Sequence, residues 1–270
     1  LKRIIAIPAR YGSTRFPGKP LAKIGGKSML ERVVDIARSV IKGDEEAGIF
    51  VTTEDKRIEE HAKEIGVECI ITSASCPTGS DRVLAALRQM DVWPDIIVNL
   101  QGDAPFTPPE VIKSIFESFL QNPHYEVITP VHKLSWKDLD RLREHKKTTP
   151  FSGTTAVVNA EGQALWFSKN IIPAIRNEAD VRQEDDVSPI YQHIGLYGFR
   201  SDVLEKYCLL PQSKYETYEG LEQLRMLENG IKIHTVHADI PIGDIQSGID
   251  TPDDLARAES RLLSQYEQAS

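Results

Sequence analysis

Three cations share one short stretch near the start of this 270-residue chain. They are Arg10, Arg15 and Lys19, in Pro-Ala-Arg-Tyr-Gly-Ser-Thr-Arg-Phe-Pro-Gly-Lys-Pro-Leu, residues 8–21. Gly12 and Gly18 let the backbone turn and approach a ligand closely. Cations on a glycine-bearing loop suit a polyphosphate, which needs backbone N–H donors and fixed positive groups together. The spacing excludes a Walker A loop, G-x-x-x-x-G-K-[ST]. Gly12 and Gly18 stand one residue too far apart, and Pro20 follows Lys19 where a metal-binding hydroxyl belongs. A second candidate is Asp103, in Gln101-Gly102-Asp103-Ala104-Pro105, just past an apolar run. A carboxylate there, facing a cationic loop, is placed to hold Mg²⁺ together with substrate phosphates.

These residues need elements to position them. Ile4-Ile5-Ala6-Ile7 reads as a buried strand leading into the cationic loop. Met29 to Ile41 repeats apolar residues at helical spacing. Further strands are expected at 48–53, 67–72 and 95–100, with helices at 55–65 and from Val83. Alternation of this kind predicts parallel β-α-β units with right-handed crossovers, and ligands sit beyond the carboxyl ends of such strands. Thr78-Gly79-Ser80-Asp81-Arg82 opens the helix before Asp103 and, on the residues alone, reads as an N-cap. Later come helices at 108–120 and 135–147 and strands at 125–132, 153–159 and 164–169. Residues 176–189 are acidic and aperiodic and read as a flexible loop. A glycine-punctuated strand at 192–200, a helix at 201–209 and another at 218–229 follow. His234 and His237 are three apart in a strand pattern, so they point to opposite faces and form no metal pair.

The net charge of −8 and the confinement of cations to one loop argue against a nucleic-acid partner. No apolar run approaches a membrane span. Arg10 and Arg15 interrupt the first apolar stretch too early for a secretory leader. Cys69, Cys76 and Cys208 show no CxxC spacing, which predicts a reducing cytoplasm with neither disulfides nor structural zinc.

The loop at 8–21 resembles the N-terminal signature of the 3-deoxy-manno-octulosonate (Kdo) cytidylyltransferases. Further motifs follow in family order: Thr78 to Arg82, Gln101-Gly102-Asp103, Ala164-Leu165-Trp166-Phe167-Ser168-Lys169, His193-Ile-Gly-Leu-Tyr197-Gly-Phe-Arg, Leu221-Glu222-Gln223-Leu224-Arg225, and Ile249-Asp250-Thr251-Pro252-Asp253-Asp254-Leu255. The resemblance implies an α/β, Rossmann-like nucleotidyltransferase fold with a mostly parallel central sheet. It implies one domain over 1–270, with a smaller sugar-binding and dimerisation lobe at roughly 125–230. It implies transfer of CMP from CTP to Kdo with release of pyrophosphate, Mg²⁺ as cofactor, and a cytoplasmic homodimer. Arg10, Ser13, Arg15, Lys19, Thr78, Arg82 and Gln101 would bind the nucleotide. His193, Tyr197, Glu222 and Gln223 would bind the sugar acid. Asp103 and Asp250 would hold the metal, and Arg10 and Lys19 would act with them in catalysis.

Two positions depart from the family pattern. Ala104 replaces a Glu, and Thr155 stands where relatives carry a Lys. With the acidic stretch at 176–189, these keep an amino-substituted octulosonate, or another sugar acid, open as substrate of the same chemistry. A catalytically silent nucleotide-binding scaffold is the alternative from another class.

Overall fold

The computed structural model describes residues 1–12, 16–239, 249 and 254–260. Ser13, Arg15 and Asp250 lie outside the described residues. The chain divides into two compact units, 1–113 with 246–270, and 114–245. The lobe expected at 125–230 falls within the second.

The first unit is built on parallel strands. β1 (Arg3–Pro8) is followed by a hairpin of β2 (Lys23–Ile24) and β3 (Lys27–Ser28). Next come α1 (Met29–Ile41), β4 (Ala47–Thr53), α2 (Lys56–Glu64), β5 (Glu68–Ile71), α3 (Gly79–Leu87) and β6 (Ile96–Asn99). β1 pairs in parallel with β4 and β6, and β4 with β5, so the order is β5-β4-β1-β6. Ile5 to Ile7 and Ile97 to Val98 are fully buried, as near-continuous apolar runs in parallel sheets require. α1 matches its expected bounds for identifiable reasons. Ser28 caps it by accepting the Glu31 N–H at 3.0 Å, and Leu30, Val33 and Val34 repeat on the buried face. Each of those three contributes about 1.5–3 kcal/mol by leaving water. Ile24 and Met29 also pack with Ile249 and Ala258, the latter in a helix at 254–260.

α4 (Pro109–Gln121) carries the chain from the first unit into the second. There follow β7 (Val127–Ser135), α5 (Trp136–Thr148), β8 (Thr155–Val158), β9 (Ala164–Ser168), α6 (Glu178–Glu184), β10 (Val187–His193), β11 (Tyr197–Arg200), α7 (Ser201–Leu209), α8 (Lys214–Glu219), α9 (Gln223–Glu228) and β12 (Ile233–His237). The strand order is β11-β7-β10-β8-β9, antiparallel, with β12 parallel to β7.

Three expectations change here. Residues 176–189 are not a flexible loop. They hold α6, whose Glu178 is bound by Arg143 at 2.7 Å and by Arg182 at 2.7 Å, while Arg182 lies over the Trp136 ring. The single strand at 192–200 is two strands broken at 194–196. The single helix at 218–229 is two helices, because Gly220 takes φ 62°, a left-handed conformation that ends α8.

Candidate active-site residues in the two units

In the first unit the site begins where β1 ends. The chain is held there by the Ala9 N–H on Thr52 O at 2.9 Å and the Tyr11 N–H on Glu54 Oε1 at 3.3 Å. The Gly18 N–H returns to Tyr11 O at 2.9 Å and closes the loop. Gly18 is needed: its φ is 71°, and a Cβ would stand 3.1 Å from the Tyr11 ring. It opens a 3-10 turn, Lys19–Leu21, that buries Lys19 to 7 % exposure. Lys19 Nζ donates to Asp103 Oδ2 at 2.5 Å. Asp103 follows β6 through Gly102, where a Cβ would come within 3.0 Å of Pro8 O. Glycine there lets the ends of β1 and β6 approach, which brings Asp103 to Lys19.

The start of α3 completes this half. Thr78 caps it, accepting the Asp81 N–H at 3.1 Å and donating to Asp81 Oδ2 at 2.6 Å. Its leading N–H groups and dipole favour an anion. One cleft of about 170 Å³ is lined by Arg10, Lys19, Thr78, Arg82, Gln101 and Asp103 among others. Five of the seven residues expected at the nucleotide from sequence, together with the expected metal ligand Asp103, therefore share one cavity. Within it, Arg82 is braced by the protein. It donates to Thr72 Oγ1 at 2.9 Å and pairs with Glu54 Oε2 at 2.9 Å. Gln101 Nε2 donates to Asn99 Oδ1 at 3.2 Å. Glu54 was not foreseen; its signal, a charge at the end of β4, is lost in the charged run that opens α2.

Asp103 is also a fitting hard-oxygen donor for Mg²⁺. Its side chain is 32 % exposed and lines the cleft. The Ile249 N–H donates to Asp103 O at 3.2 Å, so the residue preceding Asp250 lies against it. No cluster of three or more metal-ligating side chains occurs among the described residues.

In the second unit, β10 and β11 present His193 and Tyr197. His193 Nε2 is 2.9 Å from Thr129 Oγ1, and its ring meets those of Phe167 and Tyr197. Burial, with the nearby Lys169 cation adding to it, pushes His193 down to about 3. It is neutral at physiological pH. The Tyr197 hydroxyl is buried with no hydrogen-bond partner among the described residues. Burial, then Tyr207 and Glu222, push its pKa up. Gln223 Nε2, on a side chain 4 % exposed, is likewise buried and unpartnered. Glu222 is exposed and accepts the Tyr207 hydroxyl at 3.4 Å. Gly198 is structural: a Cβ there would lie 2.4 Å from Ile115.

Lys169 is a residue sequence reasoning passed over. Its backbone is gripped from both sides, the N–H by Glu219 Oε2 at 2.8 Å and the carbonyl by Lys146 Nζ at 2.6 Å. Burial lowers its pKa. The signal was present, since Lys169 closes the Ala-Leu-Trp-Phe-Ser-Lys motif. Thr155 is fully buried and committed to local backbone, donating to Asn170 O at 2.7 Å and accepting the Ile172 N–H at 3.0 Å. Glu178 is committed to two arginines.

The family model described as cytidylyltransferase matches residues 4–233. A 3-deoxy-manno-octulosonate cytidylyltransferase of Maricaulis maris is 42 % identical over 264 residues, 98 % of each chain. Its namesake in Bacteroides thetaiotaomicron is 38 % identical over 97 % of this chain and 98 % of its own. Among solved structures, a CMP:2-keto-3-deoxy-manno-octonic acid synthetase complexed with CTP superposes with a TM-score of 0.83 at 33 % identity, covering 98 % of this chain and 100 % of its own. A cytidylyltransferase from Leptospira borgpetersenii, at 21 % identity and a TM-score of 0.61, covers 96 % of this chain and 86 % of its own, and shares the fold.

Proposed function

The chain belongs to the 3-deoxy-manno-octulosonate cytidylyltransferase family, and from that premise we propose how its residues divide the reaction. The enzyme activates Kdo with CTP, giving CMP-Kdo and pyrophosphate, the form in which lipopolysaccharide synthesis takes up the sugar. The anomeric hydroxyl oxygen attacks the α-phosphorus, the bond to the bridging oxygen of pyrophosphate breaks, and the hydroxyl proton passes to solvent water. Catalysis of such a step is mainly positioning and charge neutralisation.

Arg10 and Lys19, with Arg15, neutralise the triphosphate and the leaving pyrophosphate. The N-terminus of α3 adds oriented N–H donors. Thr78 and Gln101 line the nucleotide cleft, and Arg82 acts there as a fixed cation. Asp103 and Asp250 would hold Mg²⁺, which supplies charge neutralisation and lowers the pKa of the attacking hydroxyl. His193, Tyr197, Glu222 and Gln223 place the sugar acid, and Lys169 offers a cation to its carboxylate. His193 is too weakly basic to be the general base, which needs a pKa near the working pH; it positions by hydrogen bonding. The observation that carries this division is the Lys19–Asp103 pair in a cleft with Arg10, Arg82 and a helix N-terminus.

The enzyme works in the cytoplasm as a homodimer. Support comes from three cysteines that stand as thiols and from the outer strand β9, where Leu165 is exposed and Trp166 meets the exposed Tyr215 at 5.3 Å. No described helix is long and apolar enough to cross a membrane. Pyrophosphate release tests the function directly. With Mg²⁺ and CTP, it is expected on adding Kdo and absent with ATP or GTP. Release with neither Kdo nor 8-amino-Kdo would overturn the assignment.

A further inference from the structure

We propose that Thr129 is a positioning residue that fixes His193 as the tautomer protonated on Nε2, leaving a bare Nδ1 lone pair for a hydroxyl or amine donor of the sugar acid. The proposal rests on His193 being a sugar contact and names what kind of group that contact recognises.

Thr129 lies in β7 and is fully buried. Its hydroxyl oxygen is 2.8 Å from Leu196 O, 3.4 Å from Ile194 O and 2.9 Å from His193 Nε2. A hydroxyl has one proton to give and lone pairs to receive with. Leu196 O can only accept, and 2.8 Å is the usual length of an O–H···O bond. Without a proton between them, two oxygens would oppose their lone pairs in a buried place, which is costly. The Thr129 proton therefore goes to Leu196 O. Towards His193 the hydroxyl then has only lone pairs, so Nε2 must be the N–H donor. A neutral imidazole carries one N–H, which leaves Nδ1 bare. The ring also meets the Phe167 and Tyr197 rings and lies near the Lys169 cation. None of the described residues makes a hydrogen bond to Nδ1, and the cation opposes a second proton.

The backbone between β10 and β11 is shaped for this arrangement. The Leu196 N–H donates to Ile194 O at 2.7 Å, and the Ile194 N–H donates to Pro130 O at 3.1 Å. This tight turn delivers two carbonyls onto the Thr129 hydroxyl while leaving His193 on one strand and Tyr197 on the next. A lone pair at Nδ1 pairs with a donor on the substrate and repels an acceptor in the same place. Such a site discriminates against an analogue that lacks the donor, because the lone pair then goes unmatched.

The test joins a spectroscopic and a kinetic readout. Long-range proton–nitrogen spectra of histidine-labelled enzyme should show His193 protonated on Nε2 and bare on Nδ1. Thr129→Val should lose that fixed tautomer and raise KM for Kdo about tenfold, the loss of roughly one hydrogen bond, with KM for CTP unchanged. Thr129→Ser, which keeps the hydroxyl, should restore both. A wild-type spectrum with the proton on Nδ1 overturns the proposal. So does Thr129→Val with tautomer and KM for Kdo unmoved, or with both KM values raised alike, as a purely structural role would give. Should Thr129→Val fail to fold, the wild-type spectrum and Thr129→Ser decide it. A spectrum as expected, with KM for Kdo unmoved by His193→Asn, overturns the role and locates the failure in the sugar-contact reading, leaving the tautomer standing.

Discussion

The first unit prepares for its ligand with Lys19 and Arg82 already paired to carboxylates; the second adds buried neutral donors that have no partner among the described residues. Lys19 sits on Asp103 at 2.5 Å, and Arg82 on Glu54 at 2.9 Å. In the second unit the Tyr197 hydroxyl and Gln223 Nε2 are buried with no partner among the described residues, and His193 is held neutral. The contrast follows from cost. An isolated buried charge is penalised by several kcal/mol, so a site for a triphosphate is best kept with its ions mutually satisfied until phosphates exchange for them. A neutral unpaired donor costs about 1–3 kcal/mol, which a fold can sustain. That cost is returned as selectivity, because a ligand missing the matching group leaves it unrelieved.

Breaking the charged half should have the largest effect. Asp103→Asn removes the carboxylate that faces Lys19 and that we propose as a metal ligand, and pyrophosphate release should fall at least about 10²-fold. Near-wild-type turnover would remove Asp103 from the chemistry. Next, Glu54→Ala strips Arg82 of its carboxylate and frees the Tyr11 N–H, and should lower unfolding free energy by about 3 kcal/mol in denaturant titrations. A loss below the error of the fit would mean that Arg82 needs no brace.

The neutral half is exposed by pH. The folded pKa of His193, about 3, lies below its unfolded value near 6.5. The unfolded chain binds more protons in that window, so the contribution is full above pH 6.5 and is lost as pH falls towards 3. Relative to His193→Gln, the wild-type melting temperature should drop across this interval; parallel curves would mean that His193 is not held neutral. The smallest effect should come from outside both halves. Arg143 and Arg182 hold Glu178 down to about 2, so its contribution is present above pH 4.5 and lost as pH falls towards 2. Glu178→Gln should cost about 1 kcal/mol or less at pH 7, and the difference should vanish in acid.

The charged half was also the more legible in sequence. β1, its cationic loop and the Asp after β6 are marked by an apolar run, by glycines and by the strand-end rule for open α/β sheets. Such signals lie within a few residues of one another. The neutral half depends on long-range neighbours that leave no local mark. Thr129 looks like any residue of a buried strand, and only Leu196 and His193, more than sixty positions on, give it a role. α6 was read as a flexible loop for the same reason: it buries none of its residues and is held by Arg143 of α5 and by its own Arg182 on Asp140 and Trp136. Gly220 and the turn at 194–196 broke elements read as continuous because side-chain periodicity passes through a single left-handed residue or a tight turn without interruption.

Tyr197→Phe tests the contrast most directly, by deleting one unpaired oxygen and nothing else. Melting temperature and both KM values should be measured on the same preparation. The account predicts a more stable protein, a KM for Kdo raised about tenfold and an unchanged KM for CTP. A less stable protein with KM for Kdo unchanged would show that the Tyr197 hydroxyl serves the fold and not the substrate.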